Sequence, residues 1–253
     1  ARARELGMDV VVTDHHLPPE ELPEATVLCN PKLADCPCVS LAGVGVTFFL
    51  MAELNARLAE DGSPRMDMRR TLDLVALGTL ADLVELEGQN RILVKNGLLV
   101  LAEAKRPGIS ELKVVSGYAP LAGLGAGQVI FSLAPRINAA GRVASAETAL
   151  ALLCAKDCDS AADLARMLDG YNTQRRQEEE RITEEAMVQA EAALEEPALV
   201  IAGRDWNQGV IGIVASRLVE KYHKPTLVLC ADGDTLKGSG RSISGFDLHA
   251  GLA

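Results

Sequence analysis

The first apolar run, Val10-Val11-Val12, is continuous instead of alternating, the pattern of a strand buried on both faces of a helix-covered sheet, and it predicts a strand over 9–13. Prolines at 18, 19, 23, 31 and 37 then make 17–40 mostly loop. From Ser40 the text turns helical: "GVGVTFFLMAELNARLAE" repeats apolar positions at helical spacing until Asp61-Gly62 stops it. Further helices are predicted at about 66–79, 88–104, 126–135 and 145–155. From Asp157 to Glu196 the chain is helix-forming and densely charged, with only a sparse apolar stripe of Leu164, Met167, Leu168, Ile182, Met187 and Leu194. Such a pattern predicts a solvated connector, on the order of 55 Å long at 1.5 Å per residue. After Pro197 strand and helix alternate in "ALVIAG", "QGVIGIVASRLVEKYH" and "PTLVLCA", and "DTLKGSGRS" reads as a turn leading into another strand. The fold class expected is therefore α/β: a parallel-sheet domain over 1–157, present mostly as its helical part, a connecting helix over 158–196 and a smaller α/β domain over 197–253.

Composition narrows this little. The 253 residues are 48% apolar and 24% charged, which is globular, and no apolar run approaches the roughly 18 residues of a membrane span. Without a secretory leader pattern the expected location is the cytoplasm. Cys29, Cys36, Cys38, Cys154, Cys158 and Cys230 make neither a disulfide scaffold nor a CxxC-based zinc site, and read as reduced thiols. The net charge of −10 argues against a nucleic-acid partner unless basic residues gather locally or carboxylates hold metal. Both ends read as cut from a longer protein.

Four stretches carry chemistry. "TDHH" lies at the carboxyl end of the first strand, where ligands collect in open α/β sheets. Burying Asp14, His15 and His16 without partners is costly, so a metal site is the favoured account, with manganese, or less well magnesium or iron, suited to imidazole and carboxylate. On an extended backbone the three cannot all face one ion, so one direct ligand with two supporting neighbours is expected. In "GTLADLVELEGQNR", Asp82 stands at a helix-to-loop boundary and, taken singly, is as well explained as an N-cap. In "FSLAPRINAAGR", Pro135 and Gly141 break the helical text, so that Arg136, Asn138 and Arg142 share an irregular segment; they suit phosphate oxygens, or are surface groups near helix ends, and the residues leave both open. In "KGSGRSISG", Ser239, Gly240, Arg241 and Ser242 could cradle an anion or form a glycine-rich hairpin. Trp206 and Gln208 precede or open a helix, where a base could stack or a phosphate meet the dipole, although core packing suits the tryptophan slightly better.

Taken together and in order, "VVVTDHHLPPEELPEATVLCNP", "LAGVGVTFFLM", "LGTLADLVELEGQNR", "APRINAAGR", "GVIGIVASRLVEKYHKPTLVL" and "GSGRS" resemble the RecJ family of single-strand-specific exonucleases, within the DHH phosphoesterase superfamily, over nearly the whole chain. The resemblance implies metal-dependent phosphodiester hydrolysis by a two-ion manganese or magnesium site, in DNA repair and recombination, with 5′-to-3′ polarity. By that likeness His15 is a direct metal ligand, Asp14 and His16 are its neighbours in metal and phosphate binding, and Asp82 is the later aspartate ligand. Arg136, Asn138 and Arg142 match phosphate contacts, and Ser239 to Ser242 the strand-binding loop of a DHHA1 domain. It also implies an inter-domain groove that threads single-stranded DNA, single-strand-binding or helicase partners, and a monomer. Asn207 stands where the family reads histidine. The family's earlier aspartate motifs fall upstream of residue 1, so this piece alone is expected to be inactive. The rival readings are a DHH phosphodiesterase for oligonucleotides or cyclic dinucleotides, whose second-domain loop reads Gly-Gly-Gly-His, and a non-catalytic DHH scaffold.

Overall fold

The computed structural model describes residues 2–33 and 35–252. The chain forms two compact units, one running to Pro135 and completed by Leu153–Ala162, the other made of Arg136–Leu152 and the chain from Asp163 onward. Packing thus groups 136–152 and most of the long helix with the second unit, whereas composition alone divides the chain at 157 and 197.

In the first unit a short helix, α1 (Arg2–Glu5), precedes β1 (Val11–Thr13), which pairs in parallel with β2 (Val27–Cys29). The second strand lies inside the proline-rich stretch expected to be loop; three residues are too few to show a period. Nor is β1 buried on both faces, since Val11 is 57% exposed and Thr13, on the same face, is exposed too. Burial on both faces needs strands on either side and helices above and below, and among the described residues β1 has one neighbouring strand.

The helical part follows as α2 (Gly43–Glu60), a 3-10 turn (Met68–Thr71), α3 (Leu72–Ala81), α4 (Gly88–Glu103) and α5 (Pro107–Val115). No element is expected between 104 and 126, yet α5 forms there with Pro107 in its first turn, where its missing N–H costs nothing. α3 is the hub: Val75, Ala76, Leu77 and Leu80 are all at most 3% exposed. Two glycines set its contacts. A Cβ on Gly97 of α4 would lie 2.2 Å from the Leu72 carbonyl oxygen and 2.6 Å from Ala76 Cβ, and one on Gly78 would lie 2.9 Å from Val44 Cγ1. At both crossings only a residue without a side chain lets the helices meet.

Polar groups complete this unit. The fully buried Lys113 donates to the carbonyls of Leu101, at the end of α4, and Pro120, and desolvation holds its ammonium below the usual lysine range. Asn90, 2% exposed, donates to the carbonyls of Ser40 (2.8 Å) and Glu85 (2.9 Å), tying the approach to α2 to the loop after α3. Its removal orphans both acceptors. Asn90→Ala is expected to cost about 2 kcal/mol, read as a lower urea midpoint at unchanged slope. The segment ends with α6 (Ala126–Gln128) and a π-helical turn (Val129–Leu133).

The second unit contains most of α7 (Ala134–Val143), α8 (Glu147–Cys154) and α9 (Cys158–Ala192), and then β3 (Leu199–Gly203), α10 (Gln208–Tyr222), β4 (Thr226–Asp232), β5 (Thr235–Arg241) and α11 (Leu248–Leu252). The sheet order is β3-β4-β5, parallel then antiparallel. α9 ends at Ala192, short of the expected 158–196, and is not a solvated connector. Its buried side runs through Ala161, Ala165, Leu168, Ile182, Ala186 and Ala190, all at 0% exposure, and the last three join Leu199, Ile201 and the apolar face of α10 in one core. Alanine, a residue that gives little apolar signal, lets the helix approach closely, while Met167 is 47% exposed and Leu194 40%. Among the described residues no helix is long and apolar enough to cross a membrane.

Candidate metal centre and anion-binding groove

β1 ends at Thr13, and the backbone turns at once into the Asp-His-His triplet. One carboxylate oxygen organises that turn. Asp14 Oδ1 accepts from the amides of His15 (2.7 Å) and His16 (3.2 Å) and sits 2.8 Å from His16 Nδ1. Led by the His16 side-chain bond, these interactions hold the Asp14 carboxyl down at about 2. These bonds favour the ionised carboxylate, and all of them fall on Oδ1. From the loop after β2, Lys32 Nζ donates to the His15 carbonyl at 2.6 Å and Asn30 Nδ2 to that of His16 at 2.9 Å. Lys32 lies just beyond the motifs read from the sequence and Asn30 closes one of them without being singled out; an Asn-Pro-Lys turn directly after a strand is the signal that points to both.

Because the backbone bends instead of staying extended, donor atoms of Asp14, His15 and His16 all lie within 4.8 Å of one another. The expectation that they diverge is corrected by that turn. No other group of three such residues forms among the described residues, the cysteines included.

Asp82 reaches this cluster from α3. It stands at the C-cap of that helix, so the N-cap account does not apply, and its Oδ2 lies 3.5 Å from His15 Nδ1. The approach is built by close packing: Gly78 admits Val44, and the Asp82 amide donates back to the Gly78 carbonyl one turn later. At the start of α2, Gly43 leaves room for the imidazole, since a Cβ there would lie 3.2 Å from His15 Cδ2. His15 is 18% exposed at its side chain and Asp82 37%, so both are shielded yet reachable.

A second constellation lies wholly in the second unit. Pro135 does not break the helix into an irregular segment. The preceding π-turn, in which the Ala134 amide bonds the Val129 carbonyl, absorbs the proline, and α7 continues to Val143. Helical spacing then separates the three expected phosphate contacts. Asn138 and Arg142, four residues apart, share an exposed face. Arg136 turns elsewhere; its Nε donates to Asp169 at 2.8 Å and its side chain is 14% exposed, which corrects its expected phosphate-facing role.

Arg142 Nη1 donates to the Gly209 carbonyl at 2.7 Å, and a Cβ on Gly209 would meet the Arg142 backbone at 2.4 Å, so the ends of α7 and α10 are in direct contact. Beside this contact runs a groove of about 590 Å³ lined by Arg142, Gln208, Lys237, Ser239 and Arg241 among others. Lys237 opens the KGSGRSISG stretch but is not among the residues that the motif singles out. Its signal is the strand period: Lys237, Ser239 and Arg241 alternate onto one face of β5, and Gly238 and Gly240 onto the other.

Those glycines do not form an anion-cradling loop. Gly240 is paired with Leu227 in the ladder, and a Cβ on it would meet Leu248 at 2.5 Å and Leu227 at 2.9 Å, so it makes space for leucines. Ser242 likewise turns away, its hydroxyl donating to the Phe246 carbonyl. Trp206 is also corrected. At 4% exposure, with its ring against Gly203 and its indole N–H bonded to Glu185 at 2.7 Å, it is a core residue and offers no face to a base. Asn207 has a plain role: its side chain accepts from the Gly209 amide and caps α10.

A parallel strand pair ending in an acidic-imidazole turn, backed by close-packed helices, and a separate mixed sheet with a basic strand face define a two-unit α/β class with a candidate metal centre in one unit and a basic groove in the other. Residues 1–79 match the DHH family, N-terminal domain, and 195–253 the DHHA1 domain. Along its whole length the chain is 42% identical to the single-stranded-DNA-specific exonuclease RecJ of Salmonella typhimurium, of which it spans 46%. Crystal structures of Thermus thermophilus RecJ superpose with TM-scores of 0.83 (36% identity, Mn²⁺ complex) and 0.78 (34% identity, Mg²⁺ complex), each covering 97% of this chain and 36% of that one. The chain thus carries matches to both the DHH and the DHHA1 domain and is similar to RecJ along its whole length, spanning less than half of that relative.

Proposed function

We propose that the protein containing this chain is a manganese- or magnesium-dependent exonuclease that degrades single-stranded DNA. The observation that carries the reading is the meeting of His15, from the β1 end, with Asp82, from the α3 end, beside the Asp14-His16 pair. The residues fit a divalent ion: an ionised carboxylate, two imidazoles and a second carboxylate, with oxygen and borderline nitrogen donors and no thiolate. His15, Asp82 and Asp14 Oδ2 would hold the metal, and Asp14 Oδ1 orients the His16 ring. Bound divalent ions supply water activation and neutralise charge on the scissile phosphate.

In the second unit Arg142, Lys237 and Arg241 hold the strand by its phosphates, with Gln208 and Ser239 as polar neighbours and Asn138 on the same helical face as Arg142. A groove that grips backbone charge is compatible with a net charge of −10, because the cations are gathered on one face. The reading extends, on the support of the RecJ likeness, to 5′-to-3′ polarity, a role in repair and recombination, action as a cytoplasmic monomer, and single-strand-binding or helicase partners.

The test uses the full-length protein with Mn²⁺, a long 5′-ended single strand and a dinucleotide. Preferred hydrolysis of the long strand is expected; preference for the dinucleotide, or binding without cleavage, overturns the reading. Arg241→Ala, like Arg142→Ala, leaves one strand phosphate without its cation. Each is expected to lower the slope of log affinity against log salt by about 0.7, measured without divalent metal.

A further inference from the structure

The middle of α9 buries charge where its alanine stripe would continue. Asn172, Glu179 and Thr183 are only 2, 4 and 5% exposed. Glu179 is gripped by two arginines from different helices, Arg175 one turn before it on α9 and Arg217 on α10. Arg175 is 12% exposed at its side chain, and its Nε and Nη2 are fixed on Asn172 Oδ1 at 3.3 and 3.2 Å. Arg217 is 49% exposed, so it is the outward member. Thr183 Oγ1 donates to the Glu179 carbonyl and closes the inner side of the network.

The charges in this network do not balance. One buried carboxylate faces two guanidiniums, and Arg142 lies near enough for its charge to oppose protonation of Arg175; desolvation is the main cause holding Arg175 below the usual arginine range. One guanidinium is enough to neutralise the charge of this carboxylate, although its two oxygens accept from both. Here the surplus is positive and ends at a half-exposed guanidinium. Of the five donors on Arg175, two have no protein acceptor among the described residues.

We propose that Asn172, Arg175, Glu179 and Arg217 form a further phosphodiester subsite, with Arg217 as the contacting cation and Glu179 as the positioning residue that aims it. This rests on the single-strand-binding reading above and adds a contact on α10 outside the groove at its N-terminus. Asn172 and Arg175 brace Glu179 from beneath, so the Arg217 fork meets phosphate without first being ordered.

The test is equilibrium binding of the full-length protein to a single-stranded oligothymidine without divalent metal, between about 50 and 200 mM salt. Arg217→Gln is expected to lower the salt slope by about 0.7, and Arg217→Lys, which keeps the charge, to restore it. Glu179→Gln is expected to weaken binding about 10-fold, the scale of one charge-assisted hydrogen bond, although it removes a negative charge near the strand. Simple electrostatics gives the opposite sign. Tighter or unchanged binding by Glu179→Gln in a protein of unchanged melting temperature overturns the proposal, as does an unaltered slope in Arg217→Gln. The second variant decides the matter if Glu179→Gln fails to fold. Failure of the single-strand-binding reading itself looks different: wild-type binding would then be independent of salt and of Arg241.

Discussion

Replacing His15 by alanine in the full-length protein is expected to weaken Mn²⁺ binding by about 100-fold or more and to abolish cleavage of single strands, while circular dichroism and melting temperature stay near wild type. The imidazole is held from four sides: Gly43 makes room for the ring, Asp82 faces Nδ1, Lys32 bonds the backbone carbonyl and Asp14 the backbone amide. None of these contacts belongs to the apolar core, so truncation removes a donor without opening a cavity. Asp82→Asn, which keeps the shape and removes the charge, is expected to act in the same direction. Calorimetric titration with Mn²⁺ reads the metal directly and separates ligand loss from a fault in strand binding. Wild-type affinity in both variants would remove the pair from the metal shell.

The second large effect is structural. Gly97→Ala forces a methyl group to 2.2 Å from the Leu72 carbonyl and 2.6 Å from Ala76, neither of which can swing aside, because one is helix backbone and the other a fully buried alanine. The helices must separate. A loss of about 3 kcal/mol is expected from such overpacking, seen as a lower urea midpoint. Since α3 carries Asp82, metal affinity falls with it. Gly43→Ala provides the contrast: its methyl meets the edge of His15 at 3.2 Å, so metal binding should weaken while the urea midpoint hardly moves. If Gly97→Ala is as stable as wild type, the α3–α4 crossing is looser than these distances require.

Part of this architecture is written in local pattern. The Asp-His-His stretch at a strand end, the positions of α2, α4 and α9, and the alternation in the second unit are legible because each depends on neighbours a few residues apart. Lys237 is legible too once the period of two is applied to β5. Other features are not. The strand β2 is too short to carry a period, α5 is hidden by a proline that suits its first turn, and the buried side of α9 is made of alanines.

Residue types and their order determined the chemistry on offer: an acidic-imidazole cluster, a strand with two cations and a serine on one face, two α/β units. Only the tertiary structure decided which groups meet. Asp82 comes to His15 because glycines let helices touch; Trp206 and Arg136 leave the binding face because a core and a carboxylate claim them; Glu179 gathers two arginines from separate helices. The reason is physical: helix and strand periods are set within a few residues, whereas close approach, burial and charge pairing depend on segments that the chain brings together only when it folds.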